Sequence, residues 1–234
     1  MSRKVEVCLS PRLVDRFDIS NRIVVVTDVL RATSAMVAGL ANGVTAIRPV
    51  ETVEASAELR AQGYLAAAER EGQVVAGFDF GNSPYAFMKP EVNGQKIALT
   101  TTNGTRAIAL VAAAPLVLIG AFVNLGAILN FLADRNEDVL VLCSGWKDNF
   151  NLEDSLFAGA IVAGLRGPEV SNCDAGVATA LLYEQLKGDL FGAIQQSSHY
   201  QRLAKMGIEE DIRFCMQRDV FSVVPMLRAG EIVL

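Results

Sequence analysis

The sequence predicts an α/β protein of three layers, α/β/α, in which helices cover both faces of a mainly parallel sheet. The sheet could also include antiparallel strands and so be mixed. Of its 234 residues, 51% are apolar and 20% are charged, as expected of a globular chain with a large core. Short apolar runs alternate with helical patterns along most of the chain, which is typical of a parallel sheet. We expect a single domain over residues 1–234, built as one or two lobes.

The predicted strands are short, mostly β-branched runs. Buried parallel strands read as unbroken apolar segments because both faces of their sheet are covered. In chain order the runs are 5–9, 23–26, 44–47, 96–99, 116–119 and 139–142, and two closing strands are expected at 223–227 and 232–234.

The predicted helices lie between these runs and carry apolar residues at helical spacing. They are 32–41, 52–61, 105–113, 125–133, 153–164 and 175–187, followed by a charged helical segment at 197–217. Segment 108–129 is long and uncharged enough to be weighed as a membrane span. Pro115, Gly120, Asn124 and Gly126 divide it into helix, strand and helix, so we expect no membrane segment.

The net charge and the cysteine spacing limit which ligands, partners and cellular location the protein can have. The net charge of −5 argues against nucleic acid, which calls for a basic face, but it leaves anionic small substrates open. The four cysteines form no CxxC pair, which favours reduced thiols over a zinc ribbon or a disulfide framework, and Cys143 should be buried. The first residues lack the apolar core of a secretory signal, and we expect a cytoplasmic protein.

Three polar loops suggest a binding site. They are 27–33, 77–84 and 100–106, and a fourth, Cys143-Ser-Gly145, is of the same kind. Each follows a predicted strand or precedes a helix, where backbone N–H groups and hydroxyls can hold a phosphate or another oxyanion. Ligands of parallel sheets sit beyond the carboxyl ends of the strands. The candidate anion-binding residues are Arg31, Thr33, Asn82, Ser83, Thr102, Asn103, Gly104, Thr105, Arg106, Ser144 and Gly145.

Asp28 ends a buried strand, a common position for a metal ligand or a nucleophile in phosphoryl-transfer enzymes. The alternative is a helix N-cap. Arg31 and Thr33 favour the functional interpretation, because a guanidinium nearby suits bidentate oxyanion contact. The loop is not an Asp-x-Asp phosphatase signature, since Leu30 replaces the second Asp. Cys143 does not lead a Cys-x5-Arg loop either, because position 149 is Asn.

Two acids and one histidine complete the candidates. Glu153 and Asp154 open a helix after Asn151, which fits a capping box. With Asp28 they could instead be the carboxylate ligands of Mg²⁺. His199, the only histidine, is either a packed residue or a general acid for the leaving group.

Taken in order, these motifs resemble the 2-phosphosulfolactate phosphatase family. They are Asp28-Val-Leu-Arg-Ala-Thr33, Gly77 to Pro84, Thr101 to Arg106, Cys143-Ser-Gly145 with Leu152-Glu-Asp154, and Ser197-x-His199. The resemblance implies a domain of that family, an Mg²⁺-dependent phosphatase converting 2-phospho-3-sulfolactate to 3-sulfolactate, a step towards coenzyme M. It leaves open another phosphorylated 2-hydroxy acid as substrate.

The catalytic roles are then expected for Asp28, Arg31 and His199, and the metal ligands are expected to be Asp28, Glu153 and Asp154. Attack by Asp28 itself is the second mechanism. The apolar content would accommodate a homodimer. The alternative from another class is a non-catalytic binding protein for anionic metabolites, which would make no demand on the three acids.

Overall fold

A computed structural model describes residues 3–70, 73–165, 167 and 170–234. These residues form one sheet of eleven strands, in the order β5-β4-β6-β3-β11-β10-β7-β2-β8-β1-β9. The strands are β1 (Arg3–Cys8), β2 (Arg22–Thr27), β3 (Ala46–Pro49), β4 (Leu65–Arg70), β5 (Gln73–Val74), β6 (Lys96–Thr100), β7 (Leu116–Gly120), β8 (Asp138–Cys143), β9 (Val170–Asn172), β10 (Met226–Arg228) and β11 (Glu231–Val233).

Ten α-helices are seen in the described part of the chain. They are α1 (Ala32–Ala41), α2 (Val53–Arg60), α3 (Pro84–Phe87), α4 (Gly104–Leu110), α5 (Leu125–Ala133), α6 (Leu152–Gly164), α7 (Asp174–Leu186), α8 (Leu190–Ile194), α9 (Ser198–Ala204) and α10 (Glu209–Cys215). Apolar clusters lie on both faces of the sheet, so the predicted α/β/α class is confirmed.

The sheet consists of two parallel blocks joined by an antiparallel hairpin. Strands β4, β6 and β3 run parallel to one another, as do β7, β2, β8, β1 and β9. The hairpin of β10 and β11 pairs with β7 on one side and with β3 on the other. Both predicted closing strands therefore lie inside the sheet.

All six predicted strands and all six predicted helices in the first 187 residues exist, with ends shifted by at most a few residues. The segment predicted to be helical over 197–217 is helical but not continuous. It is two helices, α9 and α10, separated at Gly207, whose φ of +73° belongs to the left-handed region that favours glycine. No helix in the described part of the chain is long and apolar enough to span a membrane, and 108–129 is divided among α4, β7 and α5.

Helix α1 is enclosed on all sides. Every residue from Ala32 to Leu40 is buried, as expected of a helix that is apolar around its whole circumference. It contacts β3, β7, α3 and α4. The alanines and glycine of its sequence let these neighbours approach its backbone closely. The N-terminus of α1 is thereby fixed at the carboxyl end of β2.

The segments that follow β2 and β6 meet although the two strands are five positions apart in the sheet. A flat sheet would separate them by roughly 24 Å. A Cβ added at Gly104, at the start of α4, would lie 2.7 Å from Asp28 Oδ2. The segments that follow the strands therefore bring both parallel blocks to one site.

Candidate active site

A small cavity lies where the carboxyl ends of the parallel strands converge. Its volume is about 10 Å³, enough for about one water molecule. The predicted polar loops at 27–33, 77–84 and 100–106 all contribute to its wall, as does the segment after β8. The lining residues are Asp28, Leu30, Arg31, Glu69, Asn82, Thr101, Thr102, Asn103, Trp146, His199, Arg202 and Leu203.

Asp28 is buried and fixed between β2 and α1. Its backbone N–H donates to Thr33 Oγ1 at 3.0 Å, its carbonyl accepts from the N–H of Thr33 at 3.0 Å, and its carboxylate is hydrogen-bonded to the Ala32 N–H. Asp28 thus serves the first turn of α1 and also faces the cavity. The predicted alternative of a helix N-cap is wrong, because the N-cap of α1 is Arg31 and it has no side-chain cap.

The pKa of Asp28 is raised to about 6. Desolvation by burial is the main cause, and the negative charges of Glu69 and Glu153 add to it, while His199 and the Ala32 N–H oppose it. Burial in low dielectric disfavours the charged form of a carboxyl, and nearby like charges do the same. A cation placed beside Asp28 would relieve both effects.

Arg31 lines the cavity and forms a buried ion pair with Asp211 of α10. Asp211 also accepts a hydrogen bond from Ser83 Oγ at 3.0 Å. Ser83, predicted to bind substrate, therefore contacts the support of Arg31 and does not line the cavity. The bidentate shape of a guanidinium allows one edge to bind Asp211 while other N–H groups remain for an anion.

Asp154 is buried and uses both carboxylate oxygens locally. Oδ1 accepts from the Val29 N–H at 2.9 Å, and Oδ2 accepts from the Gly145 N–H at 3.0 Å. Burial is the main cause that raises its pKa well above the ordinary value, followed by the charges of Asp28 and Glu153. Asp154 fixes the loops after β2 and β8 together, and its predicted role as a metal ligand stays a prediction.

Glu153 points to the histidine. It is fully buried, and its Oε1 contacts His199 Nδ1 and accepts from Asn151 Nδ2 at 3.0 Å. The other oxygen, Oε2, is buried with no hydrogen-bond partner. The capping box predicted for Asn151 and Asp154 is wrong, because Asn151 makes no side-chain cap to α6 and turns to Glu153. The pairing leaves His199 Nε2 as the ring nitrogen that can serve a ligand.

A tight turn after β8 carries Trp146 to the cavity. The backbones of Trp146 and Asn149 exchange two hydrogen bonds of 3.0 Å, and Lys147 and Asp148 between them have positive φ, as in a type I′ turn. The Trp146 ring stacks on the His199 ring with centroids 5.3 Å apart. The loop after β6 supports the turn, since Lys147 N–H donates to the side chain of Asn103.

The other predicted residues divide into two groups. Thr102 and Asn103 line the cavity, and Asn82 donates to Glu69 Oε2 at 3.3 Å while its own Oδ1 is buried without a partner. Arg106 is half exposed and pairs with Asp148 at 2.7 Å, away from the cavity wall.

Gly104, Thr105, Gly145 and Ser144 lie behind the wall. Gly104 abuts Asp28, Thr105 bonds with Thr101, and the Gly145 N–H binds Asp154. The Ser144 hydroxyl is buried with no hydrogen-bond partner. Their predicted substrate-binding roles stay predictions, as does that of Thr33, whose hydroxyl binds the Asp28 N–H.

The sequence analysis assigned no role to Glu69, Trp146, Arg202 or Leu203, which also line the cavity. Glu69 ends the alanine run of β4, which lacks the β-branched residues that mark a strand. Arg202 lies three residues after His199 on α9, so helical spacing from the predicted histidine was the available signal.

The oxygen donors around Asp28 fit a hard cation. The described residues contain no group of three or more His, Cys, Asp and Glu side chains placed to hold a metal ion. Mg²⁺ does not require one, because it is held by one or two carboxylates together with waters and substrate phosphate. Asp28 and Glu69 line the same cavity, and the unpartnered buried Asn82 Oδ1 is a third oxygen there.

The four cysteines are free thiols, and Cys143 is fully buried, as predicted. Burial is the main cause that raises its pKa well above the ordinary value. A thiol held in this form is a poor nucleophile. The candidate groups at the carboxyl edge of the sheet are therefore the acids, arginines and histidine, a set that suits a hydrolase acting on an anionic ester.

Comparison with known proteins agrees with this class. Residues 8–230 match the sequence profile of the 2-phosphosulpholactate phosphatase family. A protein of Thermotoga petrophila, named probable 2-phosphosulfolactate phosphatase, is 38% identical over 213 residues, which is 91% of this chain and 92% of the relative. A protein of Gloeobacter violaceus with the same name is 41% identical over 90% of each chain.

The chain belongs to the 2-phosphosulfolactate phosphatase family. It is an enzyme of the phosphoric monoester hydrolase class. The alternative of a non-catalytic binding protein finds no support in these comparisons.

Proposed function

We propose that the protein hydrolyses 2-phospho-3-sulfolactate, or a closely related phosphorylated 2-hydroxy acid, to the hydroxy acid and phosphate with the help of Mg²⁺. The relatives' printed names support the substrate. The observation that carries the proposal is a cavity in which buried carboxylates face two arginines and a histidine. We further infer that the enzyme is cytoplasmic and has no nucleic-acid partner. The proposal is compatible with a homodimer.

Arg31 is proposed to bind the equatorial oxygens of the phosphoryl group. Its ion pair with Asp211 is buried, so the guanidinium is held in place before substrate arrives. Donors that are already oriented toward developing charge cost no reorganisation during the reaction. Thr102 and Asn103 on the opposite loop add neutral donors for the same group.

Asp28 and Glu69, with Asn82 Oδ1, are the proposed holders of Mg²⁺. When bound, the ion would polarise the attacking water and neutralise phosphoryl charge. Asp28 is suited to this because its charged form is otherwise disfavoured at this buried position. Glu153 and Asp154, predicted as ligands, are engaged by His199 and by two backbone N–H groups. Attack by Asp28 remains the second mechanism.

His199 is the proposed general acid for the leaving alkoxide. Glu153 holds its Nδ1, and the Trp146 ring covers one face, so the imidazole has one orientation. The hydroxyl oxygen of a 2-hydroxy acid leaves poorly unless it is protonated as the P–O bond breaks. A positioned acid typically contributes about 10²–10⁴-fold to such a step.

The test measures phosphate release from 2-phospho-3-sulfolactate and from a panel of phosphorylated 2-hydroxy acids, with Mg²⁺ and with chelator. We expect turnover that stops on chelation. Activity unaffected by chelation would remove the metal role, and a trapped aspartyl-phosphate would promote Asp28 to nucleophile. Failure to release phosphate from the sulfolactate ester, with turnover of another ester, would replace the proposed substrate.

The general acid is tested with His199→Asn on the sulfolactate ester and on an aryl phosphate. The phenolate of the aryl ester leaves without a proton, so only the natural ester should lose kcat strongly. Glu153→Gln should show the same selective loss in weaker form, because it removes the charge that orients His199. Equal losses on both esters would assign His199 to substrate binding.

A further inference from the structure

Arg202 lies on the side of the cavity formed by α9. Its neighbours there are His199 and Leu203, three residues before it and one after, and all three side chains line the cavity. Residues three and four apart share one face of a helix, as Arg202 and Leu203 do with His199. The face of α9 that carries the proposed general acid therefore also carries a second guanidinium.

The guanidinium of Arg202 rests on an aromatic platform. Its Cζ lies 3.9 Å from the centroid of the Trp146 ring, and the same ring stacks on His199. Trp146 is itself fixed by the turn to Asn149, and Asp148 in that turn binds Arg106 and Ser10. Cation–π contact and this support restrict the positions that Arg202 can occupy.

The two cavity arginines enter the cavity from different elements of the fold. Arg31 is matched by the buried Asp211, at the wall that also holds Asp28. Arg202 reaches the cavity from α9 and is stacked on an indole. Two separate cationic positions suit a ligand with two separate oxyanion groups, because a guanidinium binds planar or trigonal oxyanions through paired N–H donors.

We propose that Arg202, seated on Trp146, binds the acidic group of the substrate that lies away from the scissile phosphate, and so selects phosphate esters that carry a second oxyanion. This inference rests on the proposed function. The second group is a carboxylate or a sulfonate, which present the same chemistry to the guanidinium. Arg202 is then a specificity-determining residue, and Trp146 is the positioning residue that holds it.

The experiment compares kcat/KM for three esters: 2-phospho-3-sulfolactate, 2-phospholactate and isopropyl phosphate. They carry a carboxylate and a sulfonate, a carboxylate alone, and neither group. The variants are Arg202→Gln and Arg202→Lys. Arg213→Gln is the matched control, because Arg213 also stacks on an aromatic ring, Phe191, at 3.9 Å but is exposed and lies outside the cavity.

Loss of a charge-assisted contact predicts that Arg202→Gln lowers kcat/KM for the sulfolactate ester roughly 10- to 100-fold, mainly through KM. Isopropyl phosphate should be hydrolysed about as well as by the unaltered enzyme, and Arg202→Lys should recover part of the loss. An equal loss with 2-phospholactate would identify the carboxylate as the partner. No loss with 2-phospholactate would identify the sulfonate.

Product inhibition provides a second readout. The inhibition constant of 3-sulfolactate should rise with Arg202→Gln by a similar factor, while that of inorganic phosphate should not change. Trp146→Phe should give an intermediate rise.

Equal losses on all three esters, or no loss on any, would overturn the assignment. The failure of the proposed function is distinguishable from these outcomes, since it would show in the unaltered enzyme as no phosphate release from the sulfolactate ester.

Discussion

The buried carboxyl of Asp28 should make the protein less stable at neutral pH than it would be without that charge. Its pKa of about 6 in the folded protein compares with an ordinary value of 3.8. At 1.36 kcal/mol for each pKa step, this difference corresponds to about 3 kcal/mol. The folded state pays this amount to keep Asp28 ionised.

The sign follows from proton binding. The folded protein holds the Asp28 proton more tightly than the unfolded chain does, so the cost of ionisation is absent below about pH 3.8. It grows between pH 3.8 and pH 6 and is fully present above about pH 6. Asp28→Asn removes the charge and keeps an oxygen for the Ala32 N–H, so the variant should lack this pH dependence.

The assay is urea unfolding of the unaltered protein and of Asp28→Asn, with chelator present, at pH 8 and near pH 4. Relative to the unaltered protein, the variant should gain about 2.5 kcal/mol of free energy of unfolding at pH 8 compared with pH 4, because part of the cost is already present at pH 4. In melting temperature this gain is roughly 5–10 °C for a chain of this size. Turnover by the variant should be abolished.

Comparing two pH values isolates the carboxylate from other effects of the substitution. A stability difference that is the same at pH 8 and at pH 4 would refute the reasoning, because it would show that ionised Asp28 is not penalised. Adding Mg²⁺ at pH 8 supplies an internal control. The ion should stabilise the unaltered protein and not Asp28→Asn, since only a ligand that binds the folded state raises its stability.

Two further predictions concern the supports of the site. Gly104→Ala should reduce kcat at least 10-fold with little loss of helix content by circular dichroism, because the added Cβ would lie 2.7 Å from Asp28 Oδ2. Gly188→Ala is the control, since an added Cβ at Gly188 has no neighbour within 4 Å. Equal kcat for both variants would contradict the prediction. Asp211→Asn should lower the free energy of unfolding, measured in urea, by about 3–5 kcal/mol, because it leaves the buried Arg31 charge uncompensated. The double variant Arg31→Gln with Asp211→Asn should recover part of this loss. Purely additive losses would count against coupling between the two residues.

Much of the site's framework was predictable because polar loops follow recognisable strands. The loop at 28–33 comes after a run of valines, and the loop at 101–106 comes after another apolar strand. Elementary rules of parallel sheets then place both loops at one edge. That placement is observed, since Asp28, Thr102 and Asn103 line one cavity.

The pairing of side chains was not predictable. Glu153 and His199 are 46 residues apart, and nothing local to either residue distinguishes a partner of histidine from a metal ligand. Glu69 escaped prediction because an alanine-rich strand has no β-branched pattern. The sequence therefore predicted which loops meet better than it predicted which side chains pair.

The hairpin of β10 and β11 has a consequence for biosynthesis. It pairs with β7 and with β3, and it follows every other element of the described fold in sequence. Until those strands leave the ribosome, the block that carries Glu69 and Asn103 and the block that carries Asp28 and Trp146 lack the hydrogen-bonded bridge between them. Enzymatic competence is therefore acquired only once this hairpin has been made and paired. Partly made chains should therefore be inactive, whatever their helix content.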